Sequence, residues 1–181
     1  YAWGAGVVAL ALTLWLTFLA LKPQKPIPEL MEEAKAYQAR GDNVSASILF
    51  KNIVDREPQH SEAHLLLGKA YIATGALLDA EKQLKRARDL GVPAAETVPL
   101  AVQILLDLDR HEEALKALGD SKLLLSKVPS ETIALLFGRA YLGVGNTVDA
   151  RTQFNIARTQ LPGPAMAGLA RVMLQEGNTE G

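Results

Sequence analysis

The sequence predicts an all-α protein, a superhelical stack of antiparallel helix pairs preceded by a single transmembrane helix. A spacing of small and large apolar residues recurs along residues 27–164 with a period of about 34 residues. A repeat of that length is typical of stacked helix pairs. The first 21 residues contain no charged side chain, which favours a helix that spans a membrane.

Residues 1–21 are long enough to cross a bilayer, since about 1.5 Å per residue gives roughly 30 Å as a helix. Nine residues between Val7 and Leu21 are Val, Leu or Phe, and each favours insertion by about 0.3–0.6 kcal/mol. A cleaved signal peptide and an apolar packing helix are the alternatives. A signal peptide ends at a small-x-small site, which residues 19–22 do not offer. We therefore expect a retained anchor.

Small residues recur every four positions along this predicted helix. They are Ala5, Ala9, Thr13 and Thr17. Such a stripe lets membrane helices pack closely, so these residues are a candidate helix-packing face. Ordinary small-residue content is the alternative explanation.

Residues 22–28 form a predicted proline-rich linker with three prolines in seven residues. Proline cannot continue a helix, and a run of prolines favours an extended, semi-rigid spacer. Lys22 and Lys25 within it favour a cytoplasmic location for the residues that follow, by the positive-inside tendency.

Residues 29–181 are predicted to form one domain of helix pairs. In the second pair, Leu67, Gly68 and Tyr71 share one face of the first helix, Gly75 ends that helix, and Leu84 lies between alanines on the second. Alanine lets two helices approach closely and glycine permits the tight reversal. About four repeats occupy residues 27–60, 61–94, 95–130 and 131–164, and a final helix occupies residues 164–176.

Two segments depart from the regular repeat. Residues 119–130 carry a two-residue insertion, and we expect the leucines at 123–125 to pack under neighbouring helices. The final helix leaves an apolar face unpaired, formed by Ala167, Leu169 and Met173. Because an unpaired apolar face suits an internal helix better than a cap, we expect a further repeat to follow it.

These residues resemble the tetratricopeptide repeat (TPR), whose pattern is W-x2-L-G-x2-Y, A-x3-F and P within 34 residues. The best matches are Leu67-Gly68-x-x-Tyr71 and Ala150-x-x-x-Phe154. Where the family often has tryptophan, this chain has Leu30, His64, Val98 and Ala134. The resemblance implies a right-handed TPR superhelix whose first helices line a concave face.

A finer resemblance links residues 61–94 to the TPR proteins that accompany bacterial PEP-CTERM and exopolysaccharide systems. The Leu-Gly-Val-Pro motif at residues 90–93 is its distinctive part, and the likeness extends over roughly residues 34–118. It implies a single-pass protein of the bacterial inner membrane with its TPR domain in the periplasm. We give this implication more weight than the two linker lysines.

Composition and motifs limit the function classes. The 181-residue chain balances 19 basic side chains with 20 acidic ones, whereas a nucleic-acid groove needs clustered Lys and Arg in excess. Cysteine is absent, and only His60 and His64 have the spacing of two metal ligands on one helical face, without a third ligand nearby. The sequence contains no glycine-rich phosphate loop, serine elbow or H-E-x-x-H segment. We therefore expect neither an enzyme nor a cofactor, metal or nucleic-acid partner.

The candidate binding site is the concave groove. In the family that the chain resembles, the ninth residue of each pair points into this groove, and the matching residues are Lys35, Lys69, Gln103, Arg139 and Arg171. Apolar residues flank them at Leu65, Ile72, Leu106 and Leu142. A cationic line beside apolar side chains suits an extended or helical peptide that bears acidic residues or a free carboxylate. The alternative is that long basic residues merely cover a helix surface.

Together these features predict a membrane-anchored TPR scaffold that mediates protein–protein interaction in the assembly or stabilisation of a bacterial envelope complex. Its expected partners are other protein subunits and the lipid bilayer. The alternative is an accessory protein of exopolysaccharide synthesis or export, which contacts an acidic glycan or the export machinery.

Overall fold

The computed structural model describes Trp15, residues 25–121 and residues 124–177. Within these ranges the protein consists of nine α-helices and one short 3-10 helix, and the all-α prediction is confirmed there. The helices are α1 Ile27–Ala39, α2 Asn43–Arg56, α3 Ser61–Thr74, α4 Leu77–Asp89, α5 Ala94–Asp107, α6 His111–Asp120, α7 Ser130–Gly143, α8 Thr147–Ala157 and α9 Pro162–Gln175. The 3-10 helix, Leu124–Lys127, lies between α6 and α7.

The helices pack as four consecutive pairs, α1/α2, α3/α4, α5/α6 and α7/α8, and α9 follows the fourth pair. First helices of neighbouring pairs also touch, since α3 contacts α5, α5 contacts α7 and α7 contacts α9. This arrangement is a one-dimensional stack in which each unit packs against its neighbours.

Local sequence explains where the helices reverse. Gly41, Gly75 and Gly145 end the first helices of three pairs with φ of 79–81°, a left-handed conformation that costs glycine little. In the third pair Asp109 takes this place, with φ of 56°. Side-chain caps begin some of the second helices, since the backbone N–H of Ser45 donates to the Asp42 side chain at 3.0 Å.

The core lies between the two helices of each pair. Every second helix buries an alanine and, four residues later, a large side chain, and in α4 Leu84 lies in this way between Ala80 and Ala87, all buried. The position where the family often has tryptophan is buried in every pair, and the residues that occupy it are Leu30, His64, Val98 and Ala134. The 34-residue spacing of small and large apolar residues therefore reflects packing between helices.

Phe154 of α8 illustrates how closely the helices approach. A Cβ atom added to Gly138 of α7 would lie 2.7 Å from the Phe154 ring, and one added to Gly168 of α9 would lie 2.5 Å from it. Both distances are too short for any side chain. The two glycines therefore let α7 and α9 pack directly against the ring, which fixes the position of α9 in the array.

Prolines shift two helix starts from their predicted positions. Helix α1 begins at Ile27, so the last two residues of the predicted linker 22–28 are helical, and α9 begins at Pro162 instead of residue 164. Proline is well tolerated in a first turn, because the N–H that it lacks has no partner within the helix there.

The start of α1 is joined to α2 by polar contacts. Arg56 Nη1 donates to the carbonyl oxygen of Lys25 at 2.7 Å, and Lys25 Nζ donates to Glu33 Oε2 at 2.8 Å. The hydrogen bond from Lys25 to Glu33 raises the pKa of the lysine amine. The residues that lead into α1 are thus attached to the first helix pair.

Several predicted features lie outside the described residues. Apart from Trp15, the predicted membrane helix 1–21 is among them, together with its packing positions Ala5, Ala9, Thr13 and Thr17. No helix in the described ranges combines the length and the apolar character needed to cross a bilayer. In the insertion, Leu125 is buried against the third and fourth pairs, as predicted, and Leu123 is not described.

Candidate functional site

The five predicted ninth-position residues lie on the five first helices, α1, α3, α5, α7 and α9. Arg171 is exposed, and the other four are half-buried: Lys35, Lys69, Gln103 and Arg139. Their environments differ strongly, and these differences decide which of them can receive a charged partner.

Lys35 is engaged within the array. Its Nζ lies 2.9 Å from Glu62 Oε1 at the start of α3 and 3.8 Å from Glu32 Oε1 on its own helix. The hydrogen bond that Lys35 donates to Glu62 is the main reason that the pKa of the lysine amine is raised. The lysine charge therefore joins two neighbouring pairs and is largely neutralised there.

Arg139 is engaged in the same way. Its Nη2 donates to Asp107 Oδ1 at 2.6 Å, and Asp107 is the last residue of α5. The arginine and aspartate side chains are 36% and 32% exposed, and ion pairs at such exposure contribute only up to about 1 kcal/mol. A carboxylate from a partner can therefore compete with Asp107 for this arginine.

The other two cations of the predicted line differ from Lys35 and Arg139. Neither Lys69 nor Arg171 has a carboxylate within 4.0 Å among the described residues. The predicted cationic line is consequently interrupted, because Glu62 and Asp107 occupy two of its four positive charges. We could not expect this from the repeat spacing, since both acids come from the neighbouring pair.

The apolar residues predicted beside this line are also of two kinds. Ile72 and Leu142 are half-buried. Leu65 and Leu106 are only 6% and 4% exposed, because each belongs to an apolar cluster formed by the second helix of its own pair and the first helix of the next pair. These two leucines are core residues that reach the groove only as its floor, and their part in partner binding stays a prediction.

One cavity of about 560 Å³ brings together four of the predicted groove residues, Leu106, Arg139, Leu142 and Arg171. They come from α5, α7 and α9. Its other lining residues are Asp109, His111, Leu135, Gly143, Phe154, Pro164, Ala167 and Gly168. The cavity thus has an apolar floor beneath two arginines.

A second cavity, of about 440 Å³, includes Leu65 and Lys69. Glu62 and Glu96 line it too, so Lys69 faces two carboxylates across a small space. The groove therefore has two distinct compartments, one lined by two arginines and Asp109 and one lined by Lys69 and two glutamates.

His111 is the cavity residue that sequence reasoning missed. Its ring packs so closely on Gly143 that a Cβ atom there would lie 2.2 Å from the ring. Its Nδ1 is buried without a hydrogen-bond partner in the described structure, and its Nε2 lies 3.6 Å from Asp109 Oδ1. The sequence feature that could have pointed to His111 is the Asp109-Arg110 turn directly before it, where the other pairs have a glycine between their two helices.

The two histidines with metal-ligand spacing have structural roles. His60 Nδ1 accepts from the backbone N–H of Ala63 at 3.2 Å and caps α3. His64 fills a core position, with its ring nitrogens 2.7 Å from Gln83 Oε1 and 3.1 Å from the Pro58 carbonyl oxygen. No group of three or more potential metal ligands occurs in the described part of the chain.

Helix pairs that stack on their neighbours define a helical-repeat protein, a class that typically presents extended binding surfaces. Residues 37–95 match the family model of the tetratricopeptide repeat. That match identifies TPR-type repeats in residues 37–95, and the helix pairs that follow continue the same stacked arrangement. No curated protein sequence matches the chain.

Solved structures share the fold. The MamA protein aligns with a TM-score of 0.66 and 22% identity over 84% of this chain and 83% of its own. TTC0263, a thermophilic TPR protein of Thermus thermophilus, aligns with a TM-score of 0.61 and 23% identity over 96% of this chain and 94% of its own. YrrB, described as a TPR protein with an unusual peptide-binding site, aligns with a TM-score of 0.61 and 18% identity over 83% of this chain and 78% of its own. Identities this low establish the architecture alone.

Proposed function

We propose that the protein is a membrane-anchored scaffold whose TPR array holds a segment of another polypeptide in its concave groove. One observation carries this proposal: three successive first helices enclose a single cavity with an apolar floor and two arginines. Its volume of about 560 Å³ lies within the range of roughly 300–1,000 Å³ that is usual for ligand sites.

The floor favours a polypeptide over a glycan. Leu135 and Leu142 are half-buried and present hydrocarbon surface above the buried Leu106 and Phe154, and apolar side chains of a peptide can cover this surface. An acidic glycan would use Arg139 and Arg171 but would leave this surface without a matching partner. A peptide is also what the description of YrrB assigns to that protein.

Crosslinking from inside the cavity tests this function. A photoreactive phenylalanine at Ala167, an exposed residue that lines the cavity, is expected to crosslink to one defined polypeptide in cells. The same group at Lys85, an exposed residue of α4, is the control and is expected to give no such product. Equal products from both positions, or none from Ala167, would exclude the groove as the binding face.

We further propose that residues 1–21 anchor the array in the bacterial inner membrane, with the repeats in the periplasm. The uncharged apolar segment and the resemblance to the exopolysaccharide-associated TPR proteins support this location. Such a protein would assemble or stabilise an envelope complex.

Cysteine labelling tests the location, because the chain has no cysteine of its own. A single Gln160→Cys substitution at an exposed turn introduces a unique thiol. With the outer membrane permeabilised and the inner membrane intact, a membrane-impermeant maleimide is expected to label it. Labelling only after the inner membrane is broken would place the repeats in the cytoplasm.

A further inference from the structure

We infer that a cavity between the third and fourth pairs, on the face of α7 opposite the groove, binds the hydrocarbon chain of a free long-chain fatty acid. The cavity has a volume of about 400 Å³. It lies outside the site of the proposed function, so each of the two sites is tested without the other.

Helix α7 separates this cavity from the groove. Ile133 and Phe137 line the cavity, whereas Leu135, which lies between them in the sequence, lines the groove. Residues two apart on an α-helix point about 200° apart, so the two cavities lie on opposite faces of α7. Leu118 of α6 and Ile156 of α8 form two walls of the cavity.

The third wall comes from the connection between α6 and α7. Nine residues, 121–129, separate these two helices, whereas four residues separate the second helix from the next first helix at each of the other three junctions. Leu125 and Ser126 of the 3-10 helix line the cavity, as does Val128 after it. The insertion seen in the sequence thus supplies part of the cavity wall.

Hydrocarbon forms most of the lining. Seven of the ten described lining residues are apolar, and the other three are Ser126, Ser130 and Gln153. No charged side chain is among these ten residues. Ser130 Oγ donates to Glu131 Oε2 at 3.1 Å, so the hydrogen of this hydroxyl is already engaged. The cavity offers few hydrogen bonds and therefore suits a ligand that needs few.

The equivalent place at the preceding junction has a different chemistry. In repeat register, the residues that correspond to Leu118, Ile133 and Phe137 are Leu84, Thr97 and Ala101. They line a cavity of only about 180 Å³, together with the charged residues Glu81, Lys85 and Arg88. The repeat alone therefore does not create a hydrocarbon site, and the larger apolar cavity is specific to the junction of the third and fourth pairs.

The volume suits one hydrocarbon chain. An apolar cavity of about 150 Å³ accepts benzene. By that measure, a cavity of about 400 Å³ accommodates on the order of ten to sixteen carbon atoms. A phospholipid brings two chains, and its second chain would remain in water, which is unfavourable. The occupant is therefore a lipid with a single chain.

A polypeptide fits this lining less well. Most residues of a peptide segment bring a backbone N–H and a C=O, and each of these groups needs a partner when it leaves water. Two serines and one glutamine do not supply enough partners. A hydrocarbon chain has no such groups, and its carboxylate remains at the opening, where Ser126 is exposed and the exposed Lys127 follows it in the sequence.

Photolabelling of the full chain in phospholipid nanodiscs provides the test. The probe is an analogue of palmitic acid that carries a diazirine near the end of its chain. Mass spectrometry locates the adducts, and only those outside residues 1–21 are counted, because that segment contacts bilayer lipid under the proposed function. We expect the adducts to concentrate in residues 125–137 and 153–156. An excess of palmitic acid should remove them.

A filled cavity should no longer accept the probe. Gln153→Trp puts a large ring at a half-buried lining position without a change of charge, and it should reduce these adducts about tenfold or more. Thr152→Trp adds the same ring at the next residue, which is exposed and does not line the cavity. It is the matched control and should be labelled like wild type.

Circular dichroism checks that both variants are folded. If Gln153→Trp does not fold, a second pair of variants on α8 supplies the comparison. Ile156→Glu puts a charge at an exposed position of the cavity wall, and Val148→Glu makes the same change at an exposed residue outside it. Only the first should lose the adducts.

A second probe distinguishes the source of the chain. Phosphatidylcholine with the same diazirine in one of its chains is built into the nanodisc, and we expect it to give no adducts in residues 125–137 and 153–156. Adducts from this probe would assign the cavity to the bilayer and overturn the inference.

Other results would also overturn it. They are equal labelling of wild type and a folded Gln153→Trp, or fatty-acid adducts spread evenly over exposed apolar residues such as Val44 and Leu78. A dimer in light scattering that Ile156→Glu dissociates would assign the cavity to a second copy of the chain. None of these results changes the crosslinking expected from Ala167, so the proposed function is judged separately.

Discussion

Phe154 lies between two glycines that belong to different helices, and its packing leads to the first prediction. Gly168→Ala puts a methyl group where only 2.5 Å is available to the ring. Gly163→Ala is the matched control, because it makes the same change on α9 with nothing within 4 Å. We expect Gly168→Ala to have a free energy of unfolding about 1–3 kcal/mol below that of the control. Denaturant titration of both variants measures this difference.

The same comparison has a structural readout. If α9 is displaced by the added methyl group, peptide binding in the cavity should fall with stability, since α9 provides Arg171. Equal stability of the two alanine variants would show that the Phe154 ring can move aside and that the glycine is not needed for packing.

Asp42 gives a prediction about pH. The backbone N–H of Ser45 donates to its carboxylate at 3.0 Å, and this hydrogen bond holds the pKa of Asp42 below its ordinary value near 3.8. Because the pKa of Asp42 is lower in the folded chain than in the unfolded chain, the charged cap stabilises the fold fully at pH values above about 3.8. This stabilisation is lost as the pH falls through the folded-state pKa. Asn caps helices as well but does not titrate.

We therefore expect wild type to lose stability relative to Asp42→Asn between pH 6 and pH 3. Thermal unfolding of the two proteins at both pH values gives this relative shift, in which the contributions of all other carboxylates cancel. A constant difference between them would mean that the carboxylate of Asp42 is equally hydrogen-bonded in the unfolded chain.

At the scale of helices, contacts between neighbouring first helices determine which groove cations are free. Asp107→Asn removes the charge that holds Arg139. Arg139 then becomes available to a carboxylate of a peptide in the cavity between α5, α7 and α9, and the affinity for an acidic peptide should rise by up to about fivefold, the equivalent of the roughly 1 kcal/mol that such an exposed pair contributes.

Glu62→Gln is the control, because it removes one carboxylate from beside Lys35 and from the Lys69 cavity, toward the other end of the array. Titration of one acidic peptide into both variants decides the matter. Equal gains from the two substitutions would mean that the groove attracts acidic ligands through its total charge, with no preferred compartment.

The helices themselves could be predicted from the sequence to within a few residues. Their starts and ends follow local rules, such as the glycine turns at Gly75 and Gly145 and the buried Ala150-x-x-x-Phe154 spacing on α8. A helix face is also a local property, so Arg139 and Arg171 were correctly assigned to first helices. Each of these features depends on residues that are close in the sequence.

The site could be predicted only in part, because its decisive contacts join different pairs. Asp107 reaches Arg139 over 32 residues, and the distance between those residues depends on how one pair is rotated against the next. The burial of Leu106 depends on the same rotation. His111 was missed because its role arises from contact with Gly143 of the next pair, which no spacing rule contains.

At the scale of the whole molecule, the stack is built from contacts between neighbouring units. A chain that begins at Gln24 should therefore fold without the predicted membrane helix, since the core of each pair is covered by an adjacent pair or by α9. We expect it to remain monodisperse without detergent, to be helical, and to unfold cooperatively. Circular dichroism and light scattering measure these properties. Aggregation without a cooperative transition would show that residues 1–23 complete the core.

The attachment of Lys25 to Arg56 and Glu33 has a mechanical consequence. A load applied through the residues that precede it is delivered to the first pair, at one end of the stack. Because the force then passes along the array from one pair to the next, every contact between α1 and the loaded partner carries the same tension, and the weakest of these contacts yields first. The cavity between α5, α7 and α9 lies at the far end, so a bound partner would be retained for as long as an interface nearer to Lys25 is the weaker one.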